Sequence, residues 1–392
     1  MRLLWVIMLC QALFSIALRG SRPIVSLHAD FMGASPLVIG LLVSSFALLP
    51  MLLAIQAGKW LDRYGAKQMS LIGGAGMLLA LVIPIMNPTL PFLFVNQIVI
   101  GISHVCVLVS LQKTVGNIPG SRDKMIAAFS IAGSFGEFLG PLITGFLFEY
   151  AGFQWTFAAM VIVVMIAGLA CTGLTGNNSK DKTRSGEKTQ QKQTDGSTWK
   201  MLRQVNLRKA LIISGLVLYS KDLFVGYFPV YGNSVGLSPS QIGLVISLVS
   251  GMAMVVRLMQ FRLVHRFGRG RVMMGTLFIS GIAFLLMPTT GILSLLIVFS
   301  LLLGAGLGLG QPLSIVYTMN VSPPKRQGEI LGLRLTFNRT SQFVAPFIFG
   351  AIGQFAGIAP VFLLSGGILL LGSYFTRMEE DEITIEEKQN TS

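Results

Sequence analysis

The chain has 392 residues, of which 53% are hydrophobic and only 12% charged, and its mean hydropathy is +0.71. A soluble domain carries about 25% charged residues, so a soluble enzyme or a separate soluble core is excluded. The net charge of +14 suits nucleic acid in a soluble protein, but membrane topology accounts for it here. Apolar stretches near 20 residues recur, the length that crosses a ~30 Å hydrocarbon core, and they predict an all-α integral membrane protein with twelve transmembrane helices. The expected partners are the lipid bilayer and a small molecule, with no nucleic acid.

The first span is predicted at 3–24. It follows Arg2 directly, lacks a small-x-small cleavage site, and is kept as a helix rather than a signal peptide. Span 2 (37–57) leads into Gly58-Lys-Trp-Leu-Asp-Arg-Tyr-Gly-Ala-Lys67, a charged decapeptide bounded by apolar runs. Spans 3 to 6 follow at 69–86, 91–112, 125–148 and 154–175. The segment 176–209 is rich in Asn, Ser, Lys, Gln, Thr and Gly and cannot bury apolar area, so a cytoplasmic linker is expected. Spans 7 to 12 are predicted at 210–231, 238–261, 272–288, 291–314, 328–352 and 358–376. The expected domains are a six-helix bundle at 1–175, the linker, a second bundle at 210–377, and a cytoplasmic tail at 378–392. Asn87-Pro88, Ala151-Gly152, Pro288, Pro323-Pro324 and Ala356-Gly357 punctuate the runs.

Lys and Arg in short loops orient the spans. The loops after spans 2, 4, 8 and 10 hold Lys59, Arg63 and Lys67; Lys113, Arg122 and Lys124; Arg262, Arg266, Arg269 and Arg271; and Lys325 and Arg326. The opposite loops hold almost none, Arg22 being the exception. Both termini are therefore expected in the cytoplasm, and the compact loops suggest a bacterial plasma membrane. A monomer is expected.

The halves repeat. Gly33-Ala-Ser-Pro-Leu-Val-Ile-Gly-Leu-Leu-Val-Ser44 aligns with Gly236-Leu-Ser-Pro-Ser-Gln-Ile-Gly-Leu-Val-Ile-Ser247, at an offset of 203 that also superposes Arg63 on Arg266 and Gly65 on Gly268. Phe138, Pro141, Ile143 and Gly145 align with Phe343, Pro346, Ile348 and Gly350 at 205. Two parallel six-helix repeats are a transporter plan in which the halves rock about a midplane site.

On these residues the chain resembles the major facilitator superfamily. Gly58, Asp62, Arg63, Gly65 and Lys67 match its loop signature between helices 2 and 3. Gly136-Glu-Phe-Leu-Gly140-Pro141-Leu-Ile-Thr-Gly145 is similar to the helix 5 signature of the twelve-helix drug:proton antiporters. The resemblance implies proton-coupled export by alternating access. It also implies that the loop acts as a conformational latch, with Asp62 set against the positive start of helix 11 near Gly328. The competing reading makes these charges topology signals only. Two departures stand out: the second copy, Phe261-Arg-Leu-Val-His265-Arg266-Phe-Gly268, loses the first glycine and the aspartate, and Gln97 stands before Gly101 where many antiporters carry arginine.

Several polar residues lie inside the spans. Glu137 shares the glycine face of span 5 (Gly133, Gly136, Gly140) and is a candidate proton carrier, because an intramembrane acid is costly; a protonated or paired structural residue is the alternative. Arg19 and Asp222 occupy equivalent repeat positions and suggest a gate, though Asp222 could pair instead with Lys221 or Arg22. In span 11, Arg334, Asn338 and Gln342 fall on one face, with Arg339 beside it. They join Gln97, His104 and Gln311 as candidate cavity residues. Cys10, Cys106 and Cys171 read as buried hydrophobes. No cofactor, metal site or catalytic constellation is expected. The alternatives to an exporter are an importer or uniporter of a nutrient or organic anion, and a non-transporting sensor on the same fold.

Overall fold

The computed structural model describes residues 2–118, 122–173, 205–320 and 327–376. The tail expected at 378–392, and all but the last five residues of the expected linker, lie outside these. Regular structure among the described residues is helical throughout.

Span 1 runs Arg2–Phe31. Spans 2 and 3 occupy Pro36–Met86 as two helices that meet at the non-helical Gly65. Span 4 is Leu90–Gly116, and spans 5 and 6 occupy Arg122–Thr172 as two helices that meet at the non-helical Gly152. In the second half, span 7 is Val205–Ser234, span 8 Pro239–Leu258, span 9 Arg269–Leu286, span 10 Leu293–Asn320, span 11 Gln327–Ala356 and span 12 Ile358–Phe375. A short extra helix, Gln260–Phe267, separates spans 8 and 9. Ten helices are long and apolar enough to cross a membrane, and one, Lys124–Thr172, has 49 residues, enough for two crossings. Span 11 is not among the ten because Arg334, Asn338, Arg339 and Gln342 lower its hydropathy. Counting span 11 and both crossings of Lys124–Thr172 gives the expected twelve.

The repeat is written into the backbone. Among the described residues, the positive-φ positions are all glycines: Gly33, Gly65, Gly152, Gly236, Gly268 and Gly357, with φ between 76° and 83°. They form three pairs. Gly33 matches Gly236 and Gly65 matches Gly268 at the 203-residue offset, and Gly152 matches Gly357 at 205. At Gly65 the angles are φ 81° and ψ 160°, a region essentially closed to residues with a Cβ. Each pair therefore turns the chain at the same place in each half, and one local rule sets the corners of both.

Contacts divide the chain into two compact units: Met1–Val25 with Ser45–Gln204, and Ser26–Ser44 with Val205–Ser392. The segment Ser26–Ser44, the end of span 1 and the start of span 2, thus groups with the second half rather than with its neighbours in sequence. In the second unit, span 10 packs on spans 8 and 9, span 12 on span 9, and span 11 on span 7. Phe224, Phe228, Tyr231, Phe284 and Phe362 form its aromatic centre, with ring centroids 4.8–6.3 Å apart. Such packing is what holds helices together in lipid, where burial from water no longer favours association.

Candidate functional site

In the first unit the site is built on the crossing of spans 1 and 5. A Cβ on Gly140 would stand 2.7 Å from the Ile16 carbonyl oxygen and 2.8 Å from the Gly20 nitrogen, and one on Gly20 would stand 2.8 Å from the Gly140 oxygen. A Cβ on Gly136 would clash with the Ser15 side chain and the Ala12 carbonyl. Only glycine lets these backbones approach so closely. Thr144 Oγ1 donates to the Gly20 carbonyl at 2.9 Å. Gly145, one turn on from Pro141, is buried. This contact brings Arg19 onto Glu137: Nη2 lies 2.8 Å from Oε1, with side-chain exposures of 25% and 16%. Two opposite charges thus meet within the membrane-spanning layer, where either alone would be costly.

Nearby, Arg22 lies over the Phe46 ring at 4.1 Å, a cation–π arrangement, and the His104 ring is 6.5 Å from the same phenyl. Gln97 is buried and donates to Asn96 Oδ1 at 2.9 Å, while Asn96 donates to the Ala80 carbonyl at 2.6 Å. Asn96 thus makes the contact between spans 3 and 4, and Gln97 supports it from within span 4.

The loop signature divides by role. Gly65 makes the turn. Gly58 does not: it lies within helix, and a Cβ there would meet nothing within 4 Å. Asp62 accepts a 2.9 Å hydrogen bond and ion pair from Lys113 at the end of span 4. Arg63 lies over the Tyr64 ring at 5.4 Å, and Lys67 carries the carbonyl that Ser70 bonds at 2.8 Å. The partner expected for Asp62 near Gly328 lies outside the described side chains.

In the second unit the stripe on span 11 is buried and engaged residue by residue. Arg334 Nη2 donates to Gln311 Oε1 at 2.7 Å and to Ser314 Oγ at 3.0 Å. Its Nε is buried without a hydrogen-bond partner among the described residues. Asn338 Oδ1 accepts from Ser214 at 2.8 Å, and Gln311 Nε2 donates to the Ser214 carbonyl at 2.8 Å. Gln342 Nε2 donates to Asp222 Oδ2 at 2.5 Å, and Arg339 Nη1 donates to Gln342 Oε1 at 3.0 Å. The stripe thus faces spans 7 and 10. Arg19 and Asp222, considered above as a pair, each have a partner inside their own unit, Glu137 and Gln342.

Three features escaped the reading of the sequence. Asn233 Nδ2 donates to Asp30 Oδ2 at 2.7 Å, and these positions are themselves 203 apart, so the repeat offset is the signal that could have found them. Tyr227, fully buried, donates to the Pro346 carbonyl at 2.8 Å and reaches the Pro36 carbonyl at 3.3 Å. A cavity of about 440 Å³ is lined by apolar side chains of spans 11 and 12 together with Tyr219 of span 7 and the hydroxyl-bearing Thr340 and Ser341.

The sequence model of the Major Facilitator Superfamily matches residues 7–261 and 235–390. Multidrug resistance protein 2 of Bacillus subtilis is 22% identical over 367 residues, 92% of this chain and 90% of that one. Quinolone resistance protein NorA of Staphylococcus aureus is 22% identical over 385 residues, 94% of each chain. Among solved structures, the nucleoside transporter NupG superposes with a TM-score of 0.77 at 13% identity, covering 96% of this chain and 98% of that one. That likeness concerns the fold.

Proposed function

Because the chain belongs to the Major Facilitator Superfamily, and is therefore a multi-pass membrane transporter, we propose that it exports a small amphipathic drug-like molecule or metabolite in exchange for protons, by alternating access. The observation that carries this reading is the Arg19–Glu137 pair at the glycine-lined crossing of spans 1 and 5. Glu137 ionised holds the Arg19 guanidinium; Glu137 protonated is neutral and lets it go. A proton arriving at this carboxylate thus exchanges a membrane-embedded ion pair for a mobile cation, and that exchange is the coupling step. The names of two relatives, a multidrug resistance protein and a quinolone resistance protein, support export. Both termini lie in the cytoplasm, and the Asp62 loop sets the balance between inward- and outward-facing states. Asp222, with Gln342 and Arg339 in line behind it, is the second candidate for proton handling.

A second reading has its own support. Arg334 is buried against the neutral oxygens of Gln311 and Ser314, with one guanidinium nitrogen left over. That arrangement suits a substrate carrying an anionic group, whether exported or imported.

The test is purified protein in liposomes with an imposed pH gradient and a panel of dyes, drugs and metabolites. Accumulation driven by acid inside inverted vesicles is the expected result. Movement indifferent to the gradient supports a uniporter, and no movement of any compound supports a sensor.

A further inference from the structure

The two copies of the loop signature share a backbone but not a cover. Gly65 and Gly268 turn at φ 81° and 79°. In the first copy, Leu61 is buried in a cluster with Ala57, Met69, Val105 and Cys106, and Asp62 is bonded to Lys113. In the second copy, Gln260–Phe267 is a separate helix with no buried residue. Phe261 replaces Gly58 and His265 replaces Asp62, so the packed, acid-bearing element becomes an uncovered aromatic and basic one.

Its two faces differ in character. At 3.6 residues per turn, Phe261, Leu263, Val264 and Phe267 fall on one side, with Gln260 at its start, and Arg262, His265 and Arg266 on the other. Phe261 is 86% exposed and Phe267 47%. At the end of span 8, Val255, Leu258 and Met259 are also exposed, so Gln260–Phe267 follows directly on an apolar span surface of the kind that meets acyl chains in a bilayer. Arg266 stands over the Phe267 ring at 5.5 Å, and Arg269 and Arg271 follow at the start of span 9. An amphipathic helix with aromatic residues on one side and arginines on the other settles in the plane of a membrane interface. Its cations then meet the head groups directly.

We propose that Gln260–Phe267 is an interfacial helix that sinks Phe261 and Phe267 among the acyl chains and binds anionic phospholipid head groups through Arg262 and Arg266. The charge of the basic side selects the lipid, and the direct attachment of the exposed aromatic residues to the end of a membrane span selects a membrane over a soluble protein. The inference rests on membrane insertion alone and is independent of which substrate moves or in which direction.

The experiment places single cysteines at 261 and 265, which Cys10, Cys106 and Cys171, all buried, leave distinguishable. Nitroxide labels are read in vesicles of phosphatidylcholine with 30% phosphatidylglycerol, taken as roughly a bacterial proportion. The label at 261 should be relaxed by oxygen and shielded from a water-soluble nickel chelate, and the label at 265 should show the reverse. A fluorophore at 265 should be quenched more strongly by head-group spin-labelled phosphatidylglycerol than by the phosphatidylcholine analogue. Removing two arginines at the surface should weaken that preference by about thirty-fold, near a factor of five for each. The double variant Arg262→Gln/Arg266→Gln should therefore lose it, and Arg262→Lys/Arg266→Lys should keep it. Chelate access at 261, or equal preference in the wild type and the Gln variant, overturns the proposal. So does a preference that emerges only after residues 378–392 are deleted, since the acidic tail would then be the occupant in the full chain.

Discussion

At Glu137 the structure sets a carboxylate against the Arg19 guanidinium, and on the proposed reading substitution there should separate coupling from transport. Glu137→Gln should lose gradient-driven accumulation by at least about a hundredfold, the lower end of the usual weight of a positioned acid–base group, while substrate exchange without a gradient persists. Loss of both in a monodisperse protein would make Glu137 structural. Gly140→Ala places a methyl against the Ile16 carbonyl and the Gly20 nitrogen. Backbone atoms cannot swing aside, so overpacking of about 1–3 kcal/mol is expected, read as a lower melting temperature. The sequence contained half of this arrangement. The glycine face of span 5 and the acid on it follow from spacing, but Arg19 is 118 residues away and becomes Glu137's partner only when Gly20 meets Gly140. The same limit explains span 11: Arg334, Asn338 and Gln342 were legible as one face, whereas which neighbours that face meets depends on how spans 7 and 10 pack.

At the scale of the element, the loop between spans 2 and 3 answers a question its sequence leaves open, namely which glycine the turn requires. Gly65→Ala should destabilise by about 1–3 kcal/mol, because its φ and ψ lie where side chains do not go. Gly58→Ala should be neutral or should stabilise by up to about 1 kcal/mol, since a helix interior favours alanine and the added methyl meets nothing. Thermal melts of the two variants, with Gly268→Ala as the repeat control, check this directly. Asp62→Asn removes a pair whose acid is 78% exposed. Its stability cost should stay within about 1 kcal/mol, so any large change in transport rate or in the inward–outward balance belongs to the latch. An unchanged balance would leave these charges as topology signals. Both corners fall where the sequence marks them, Gly65 in the charged decapeptide and Gly152 at Ala151-Gly152. What was not legible is that a single glycine makes each turn with helix on either side.

Across the whole molecule, the repeat was the most readable feature, because a fixed offset in sequence becomes a fixed offset in backbone geometry at all three glycine pairs. The grouping of Ser26–Ser44 with the second half was hidden, since the segment looks like an ordinary helix end, helix start and short connection. Its ties, Asp30 to Asn233 and Pro36 to Tyr227, run between residues about 200 apart in sequence. The proposed exchange, in which substrate leaves as protons enter through a site containing Glu137, is likewise a property of the whole molecule. The measurement that tests it most directly is the internal pH of dye-loaded proteoliposomes, started without a gradient, when a transported substrate is added outside. The account predicts a substrate-evoked rise in internal pH for the wild type, as protons leave in exchange, and none for Glu137→Gln. A wild-type protein that moves substrate with no change in internal pH, or a Glu137→Gln variant that moves protons as well as the wild type, would contradict it.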